Sequence, residues 1–220
     1  MSSPSILYAF ATPMELSSVF PECENSVESG VSDKLIALPR GLGYACILGI
    51  GMLDFSVNLS SVLVQSERSG LRFSSVIILG VCGAYVGRGV DILDVVRVDS
   101  EMVGDMGYQE KDGSFYPIPG SVMATSPEKA SESIRRLRSV AGLTVNCCTG
   151  TEELGLQRAR MFNADIENME GAAGMAVCRS FGIPVFEVRA VCNMASTRDR
   201  ASWKLHEALA ALRRAVFKAE

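Results

Sequence analysis

The chain has 220 residues, 48% of them apolar and 21% charged, with a net charge of −4 at neutral pH. That length suits one large domain over residues 1–220, and the apolar fraction is ample for a core, so disordered and low-complexity architectures are excluded. The acidic balance disfavours a nucleic-acid partner, since phosphate backbones are bound mainly by Lys and Arg. No stretch reaches the roughly 20 apolar residues of a membrane-spanning helix, and no basic flank precedes the first apolar run as it would in a signal peptide.

In chain order, residues 6–11 read as a buried strand that Thr12-Pro13 stops, with a helix opening at Met14-Glu15-Leu16. Residues 34–38 and 44–50 read as paired strands around the turn Pro39–Gly43. Residues 52–67 form a predicted helix with Leu53, Val57, Ser60, Ser61 and Val64 near one face. A β-branched strand at 75–79 is expected to stop at Gly80-Val81-Cys82-Gly83, and 92–98 is another strand. Residues 104–120, rich in Gly, Pro and aromatics, read as a long loop. A helix is expected over 127–139 with Ser126 as its cap, a strand over 143–148 and a helix over 152–163. A short extended piece at 165–169 leads into a small-residue helix at 170–181 that Gly182 ends. A strand at 185–191 and a helix at 202–218 complete the chain. Strands and helices alternate throughout, which predicts an α/β domain with a central, mixed and largely parallel twisted sheet flanked by helices.

The seven cysteines, at 23, 46, 82, 147, 148, 178 and 192, are odd in number and contain no CxxC, and His206 is the sole histidine. That set fits reduced thiols in a cytoplasmic protein and implies neither metal nor cofactor.

Ligands in open α/β sheets bind beyond the carboxyl ends of the strands. Four features fall there. Glu15 opens the first helix. Val81, Cys82 and Gly83 form a glycine turn that could cradle a ligand by its backbone. Glu170 sits before residues too small to shield it, with no basic residue one helical turn away. Asn193 follows the late strand. Each has an ordinary structural explanation: a first-turn Glu complements the helix dipole, and Asn closes strands. A buried carboxylate without a partner is costly, which favours hydroxyl binding at Glu170.

Together these pieces resemble the nucleoside phosphorylase/nucleosidase family along nearly the whole chain: Ala11–Glu15, Gly49-Ile50-Gly51, Leu79–Ala84, Asn168–Ala173 and Val188–Asn193. Within it, Cys192–Arg200 with Trp203 and Ala208-Leu209 is most similar to the futalosine-hydrolysing branch, which serves menaquinone biosynthesis. The resemblance implies a nucleoside phosphorylase-like fold and cleavage of a purine nucleoside. It implies Glu15 as water-activating acid/base, Glu170 and Met169 on the sugar, and Asn193 beside purine N7. Val81, Cys82, Gly83 and Thr151 would line the substrate. It also implies a homodimer in which the 104–120 loop, with Met106, Tyr108, Phe115 and Tyr116, reaches the neighbouring site.

Phosphate-using relatives carry Arg and Ser where this chain has Ile78 and Val81, which points to water as nucleophile. Adenine-specific relatives place Asp at position 193. An amide there can accept from N7–H and donate to a 6-oxo group, which favours hypoxanthine; the flipped amide would suit a 6-aminopurine. A 6-aminopurine nucleosidase, acting on aminodeoxyfutalosine, methylthioadenosine or S-adenosylhomocysteine, is therefore the alternative, and a catalytically weak nucleoside-binding protein a third. Arg198-Asp199-Arg200 reads as a solvated run that could meet a substrate carboxylate, and His206 as an ordinary helix residue.

Overall fold

Why β4 runs straight through its glycines is the first thing the computed structural model explains; it describes residues 5–26, 32–118, 123–124 and 127–217. The elements run β1 (Ser5–Phe10), α1 (Pro13–Val19), β2 (Ser32–Ala37), β3 (Tyr44–Ile47), α2 (Met52–Arg68), β4 (Phe73–Ala84) and β5 (Val95–Val103). They continue with β6 (Gly107–Gln109), β7 (Phe115–Pro117), β8 (Met123–Ala124), α3 (Glu132–Arg135), β9 (Arg138–Thr144) and α4 (Glu152–Phe162). β10 (Ile166–Asn168), α5 (Gly171–Ser180), β11 (Val185–Met194) and α6 (Leu205–Val216) end the series. The expected stop at Gly80–Gly83 does not occur. Both glycines are extended, and they are needed for room rather than for a turn. A Cβ at Gly80 would lie 2.6 Å from Glu15 Oε1 and 2.8 Å from an Arg189 terminal nitrogen, and one at Gly83 would lie 3.2 Å from Asn193 Nδ2.

Among the described residues, nine strands form one mixed sheet in the order β10-β9-β5-β11-β4-β1-β3-β2, with β8 on β5. β1 runs parallel to β3 and β4, β4 to β11, and β9 to β5 and β10. The expected mixed, largely parallel sheet is therefore what forms. It does not stay open. The far end of β4 leaves β1 and pairs antiparallel with β10, Gly83 opposite Glu167, so that β4, β11, β5, β9 and β10 close into a ring.

One face packs against α2 and α5, where Leu48, Phe55, Leu59, Ile78 and Met175 are buried. The other packs against α1 and α6 through Phe10, Leu16, Leu79, Val188, Leu209 and Leu212. A third cluster, with Tyr85, Leu143, Val145 and Phe162, lies under α4.

Several expectations are corrected. The buried face of α2 is Phe55, Leu59, Val62, Leu63 and Ser66, whereas Leu53 and Val57, on the stripe read from the sequence, are 76% and 59% exposed. Residues 127–139 are not one helix. A 3₁₀ turn and the four-residue α3, capped by the Ser131 side chain, precede β9, which starts at Arg138 and ends at Thr144 instead of spanning 143–148. Pairing of 138–144 between β5 and β10 outweighs the helical pattern there. Ser126 lies outside the described residues. β5 starts at Val95, because Leu93 turns with φ of 76°. The 104–120 loop contains the small hairpin β6–β7, whose Tyr108 and Tyr116 rings stack 5.5 Å apart and are exposed.

Candidate active site

α1 starts with a capping box: Thr12 Oγ1 accepts from Glu15 N–H, and Glu15 Oε2 accepts from Thr12 N–H at 3.0 Å and its hydroxyl at 3.1 Å. The other carboxylate oxygen does something a cap does not. Oε1 crosses to the sheet and accepts the Val81 N–H at 3.1 Å. Glu15 is 6% exposed. Burial, and then the facing Glu170 carboxylate, push its carboxyl above the ordinary range, against the pull of Arg189 and its donors.

Arg189, on β11, is the hub. It is 2% exposed, and its terminal nitrogens reach Glu170 Oε2 at 3.3 Å, Val81 O at 3.3 Å and Asn168 Oδ1 at 3.4 Å. Its Nε donates to Glu187 Oε1 at 2.7 Å. Burial opposes the guanidinium charge, but Glu187, Glu170 and Glu15 outweigh it and hold Arg189 firmly protonated.

Glu170 occupies the N-cap position of α5, yet its side chain makes no cap bond. Its Oε1 accepts instead from Gly51 N–H at 3.1 Å. Gly49 and Gly51 both have left-handed φ, 93° and 89°, which turns the chain sharply between β3 and α2 and aims that N–H inward. Asn168 supplies the cap: its Oδ1 accepts from Glu170 N–H at 3.0 Å and Gly171 N–H at 2.8 Å.

Behind this lies a second layer. Glu101, fully buried on β5, accepts from Thr144 Oγ1 at 2.8 Å and from Asn168 Nδ2. Glu187 is equally buried, and its Oε2 has no hydrogen-bond partner.

Asn193 follows a bulge in β11 that shifts its register against β4 between Val191 and Asn193. It is half-buried opposite Gly83, with Nδ2 donating to Met194 O at 2.9 Å and Oδ1 accepting from the Cys192 thiol at 3.2 Å. Burial pushes that thiol up to about 12. Cys82 is buried and its carbonyl accepts the same thiol. Met169 is half-buried between Asn168 and Glu170. Thr151 is exposed and its hydroxyl caps α4.

The structure thus brings Glu15, Glu170 and Val81 together around Arg189, with Asn193 farther along the same strand, while Thr151 serves its helix. Val81's N–H and C=O are both engaged by Glu15 and Arg189. Arg189, Asn168, Glu101 and Glu187 were not singled out as site residues from the sequence. Their signal is alternation: Glu187 and Arg189 share one face of an apolar strand, where buried charges need partners. His206 is exposed on α6, and the Arg198 guanidinium lies 5.8 Å over the Trp203 ring. The seven cysteines are free thiols. Among the described residues, no helix is long and apolar enough to cross a membrane.

A family profile described as the Phosphorylase superfamily matches residues 70–219. The chain is 31% identical to a futalosine hydrolase of Thermus thermophilus over 191 residues, covering 80% of this chain and 81% of that one. Its fold superposes on a Helicobacter pylori 5'-methylthioadenosine/S-adenosylhomocysteine nucleosidase crystallised with butyl-thio-DADMe-Immucillin-A, with a TM-score of 0.75, 18% identity and coverage of 98% and 97%. A futalosine hydrolase of Helicobacter pylori gives 0.73 at 17% identity, covering 96% of this chain and 95% of that one.

Proposed function

Since the chain belongs to the phosphorylase superfamily and, within it, to the futalosine hydrolase family, we propose that it hydrolyses the N-glycosidic bond of futalosine and releases hypoxanthine, a step of menaquinone biosynthesis. The observation that carries this reading is the convergence of two buried carboxylates, Glu15 and Glu170, on one guanidinium at the carboxyl ends of the strands.

Breaking a purine N-glycosidic bond leaves positive charge on the sugar and negative charge on the base. Glu170, gripped by Arg189 and Gly51 N–H, offers its carboxylate to the ribose hydroxyls and strengthens that bond as the ring becomes cationic. Met169 packs on the sugar. Glu15 takes a proton from the attacking water; its raised pKa brings this base closer to neutral pH. Once the departing base has taken a proton on N7 from solvent, matching the one that water gives to Glu15, Asn193 accepts from N7–H and donates to the 6-oxo group, replacing its present bonds to Cys192 and Met194. Val81, Cys82 and Gly83 line the base, and Thr151 belongs to the loop beside it. Water is the nucleophile because Ile78 is buried in the α2/α5 core and Val81 packs toward the opposite core; neither gives phosphate a charged contact.

We place the enzyme in the cytoplasm as a homodimer. Supporting the dimer, Ile50, Leu53 and Val57 stand 59%, 76% and 59% exposed beside a shallow groove of about 420 Å³ between α2 and α5, lined by Met52, Ala173 and Val177. The exposed Tyr108–Tyr116 stack lies on the hairpin that would reach the partner's site.

The test is chromatography of the base released from futalosine, its 6-amino analogue and methylthioadenosine, with and without phosphate. Hypoxanthine from futalosine, unaccelerated by phosphate, is expected. Adenine as the preferred product would establish the 6-amino alternative, and a sugar-1-phosphate would restore the phosphorylase reaction.

A further inference from the structure

Glu15, Glu101, Glu170 and Glu187 are all buried around the single guanidinium of Arg189. Leaving all four ionised would bury a large net negative charge, which proteins avoid by keeping protons on some members. The hydrogen bonds say where. Glu101 receives a donor on each oxygen, Asn168 Nδ2 on Oε1 and Thr144 Oγ1 on Oε2, the pattern of an ionised carboxylate. Glu187 receives Arg189 Nε on Oε1, and nothing reaches its Oε2, although the side chain is completely buried. Both carboxyl groups border Gly171: a Cβ there would sit 2.5 Å from Glu187 Oε2 and 2.6 Å from Glu101 Oε1. Gly142 likewise clears space for Glu101 on β9.

We propose that Glu187 Oε2 carries a proton and donates it to the Glu101 carboxylate, making the two an acid–carboxylate pair that positions Glu170. Each member grips a different arm of the Glu170 support. Glu187 Oε1 orients Arg189, which holds the Glu170 side chain. Glu101 orients Asn168, which caps α5 and holds the Glu170 backbone. One proton between them leaves a single negative charge to balance Arg189, so that Glu170 and Glu15 bring the charge the reaction uses. The other titratable group against the pair is Cys82 on β4, kept a thiol by burial. Burial raises both carboxyl groups, with the Glu187 charge adding to it at Glu101, while Arg189 pulls Glu187 back down. The donors already seated on both Glu101 oxygens leave Glu187 Oε2 as the oxygen that carries the shared proton.

The idea rests on the proposed function only for its kinetic arm, and two arms need no substrate. Infrared spectra of the full-length protein at mildly alkaline pH should show a deuterium-sensitive C=O stretch of a protonated carboxylic acid. Glu187→Gln should remove that band, while its amide reproduces both bonds, accepting from Arg189 and donating to Glu101. Glu187→Gln should therefore melt near the wild type and keep kcat within about threefold, whereas Glu187→Ala loses stability and at least about tenfold in kcat. A missing band, or a Glu187→Gln variant as damaged as Glu187→Ala, would overturn the proposal. A preparation that shows the band and the rescue of stability but cleaves no nucleoside would overturn the function and leave this pair standing.

Discussion

Two buried acidic centres sit one strand apart and are built on opposite principles. Glu167, on β10, is finished: Tyr85 OH, Thr149 N–H, the Thr149 hydroxyl and Arg158 all donate to it, at 2.9, 2.8, 2.6 and 3.4 Å. One carboxylate meets one guanidinium, and the knot ties the start of the 149–151 loop to the ring of strands. Around Arg189 the ratio is reversed, with several carboxyl groups sharing one cation and one oxygen that no donor reaches. A saturated buried charge stabilises a fold and has nothing left to offer a substrate. An over-acidic centre with unspent lone pairs is costly to the fold and persists where chemistry uses it.

Substitutions should therefore separate the two centres. Glu170→Gln should lower kcat by about 10³-fold, roughly 4 kcal/mol of transition-state stabilisation, with the fold retained. A drop in melting temperature with unchanged turnover would make Glu170 a knot like Glu167. Glu15→Gln should cost about 10²–10³ in kcat, because an amide takes no proton from water. In the wild type, kcat/KM should rise with pH through a limb above the ordinary carboxylate range, since Glu15 must lose its proton to act; the variant should lack that limb. Stability runs the other way. A carboxyl whose folded pKa is raised favours folding most below its unfolded pKa, and that contribution is lost as pH rises through the folded value. Flat kinetics across the acid range would assign Glu15 to the helix cap alone.

The knot should respond in reverse. Glu167→Gln weakens a buried pair and turns one acceptor into a donor facing Thr149 or Tyr85. A loss of about 2–4 kcal/mol is expected, hence roughly 5–15 °C in melting temperature, with kcat changed by no more than a few fold. Calorimetry and steady-state kinetics on one preparation read both quantities. A large kcat loss without destabilisation would move Glu167 into the reacting centre.

The sequence made the strand-end residues legible because strand, stop and polar residue lie together in it: Phe10 to Glu15, Val191 to Asn193. What it concealed was set by pairing at long range. Asn168 and Glu101 are 67 residues apart, and Arg189 and Val81 108 apart. Nothing local marks Gly80 or Gly171 as space for a carboxylate rather than a turn. The ring closure by β10 on β4 is a contact of two residues per strand, too short to leave a periodicity. Leu53 and Val57 of α2 form a stripe that a single chain does not bury.

The smallest expected effect concerns which base the centre accepts. Asn193 is tied to Cys192 and Met194 by bonds its amide can exchange for a purine's N7–H and 6-oxo group. Asn193→Asp removes the donor. Facing O6, an ionised Asp sets acceptor against acceptor, while a 6-amino group gives it a donor. A neutral hydrogen bond contributes about 0.5–1.5 kcal/mol, and leaving a buried group unpaired costs about 1–3 kcal/mol. The kcat/KM ratio of futalosine to its 6-amino analogue should then fall by roughly ten- to hundredfold, and by no more, because only one edge of the base is read by this side chain. Both constants, measured for wild type and variant on both substrates, give the ratio directly. An unchanged ratio would shift selectivity to the 149–151 loop. The comparison of the two centres would then sharpen: with its Glu167 anchor, that loop would be the rigid edge against which the base is sorted, and the knot would act on specificity without touching the chemistry.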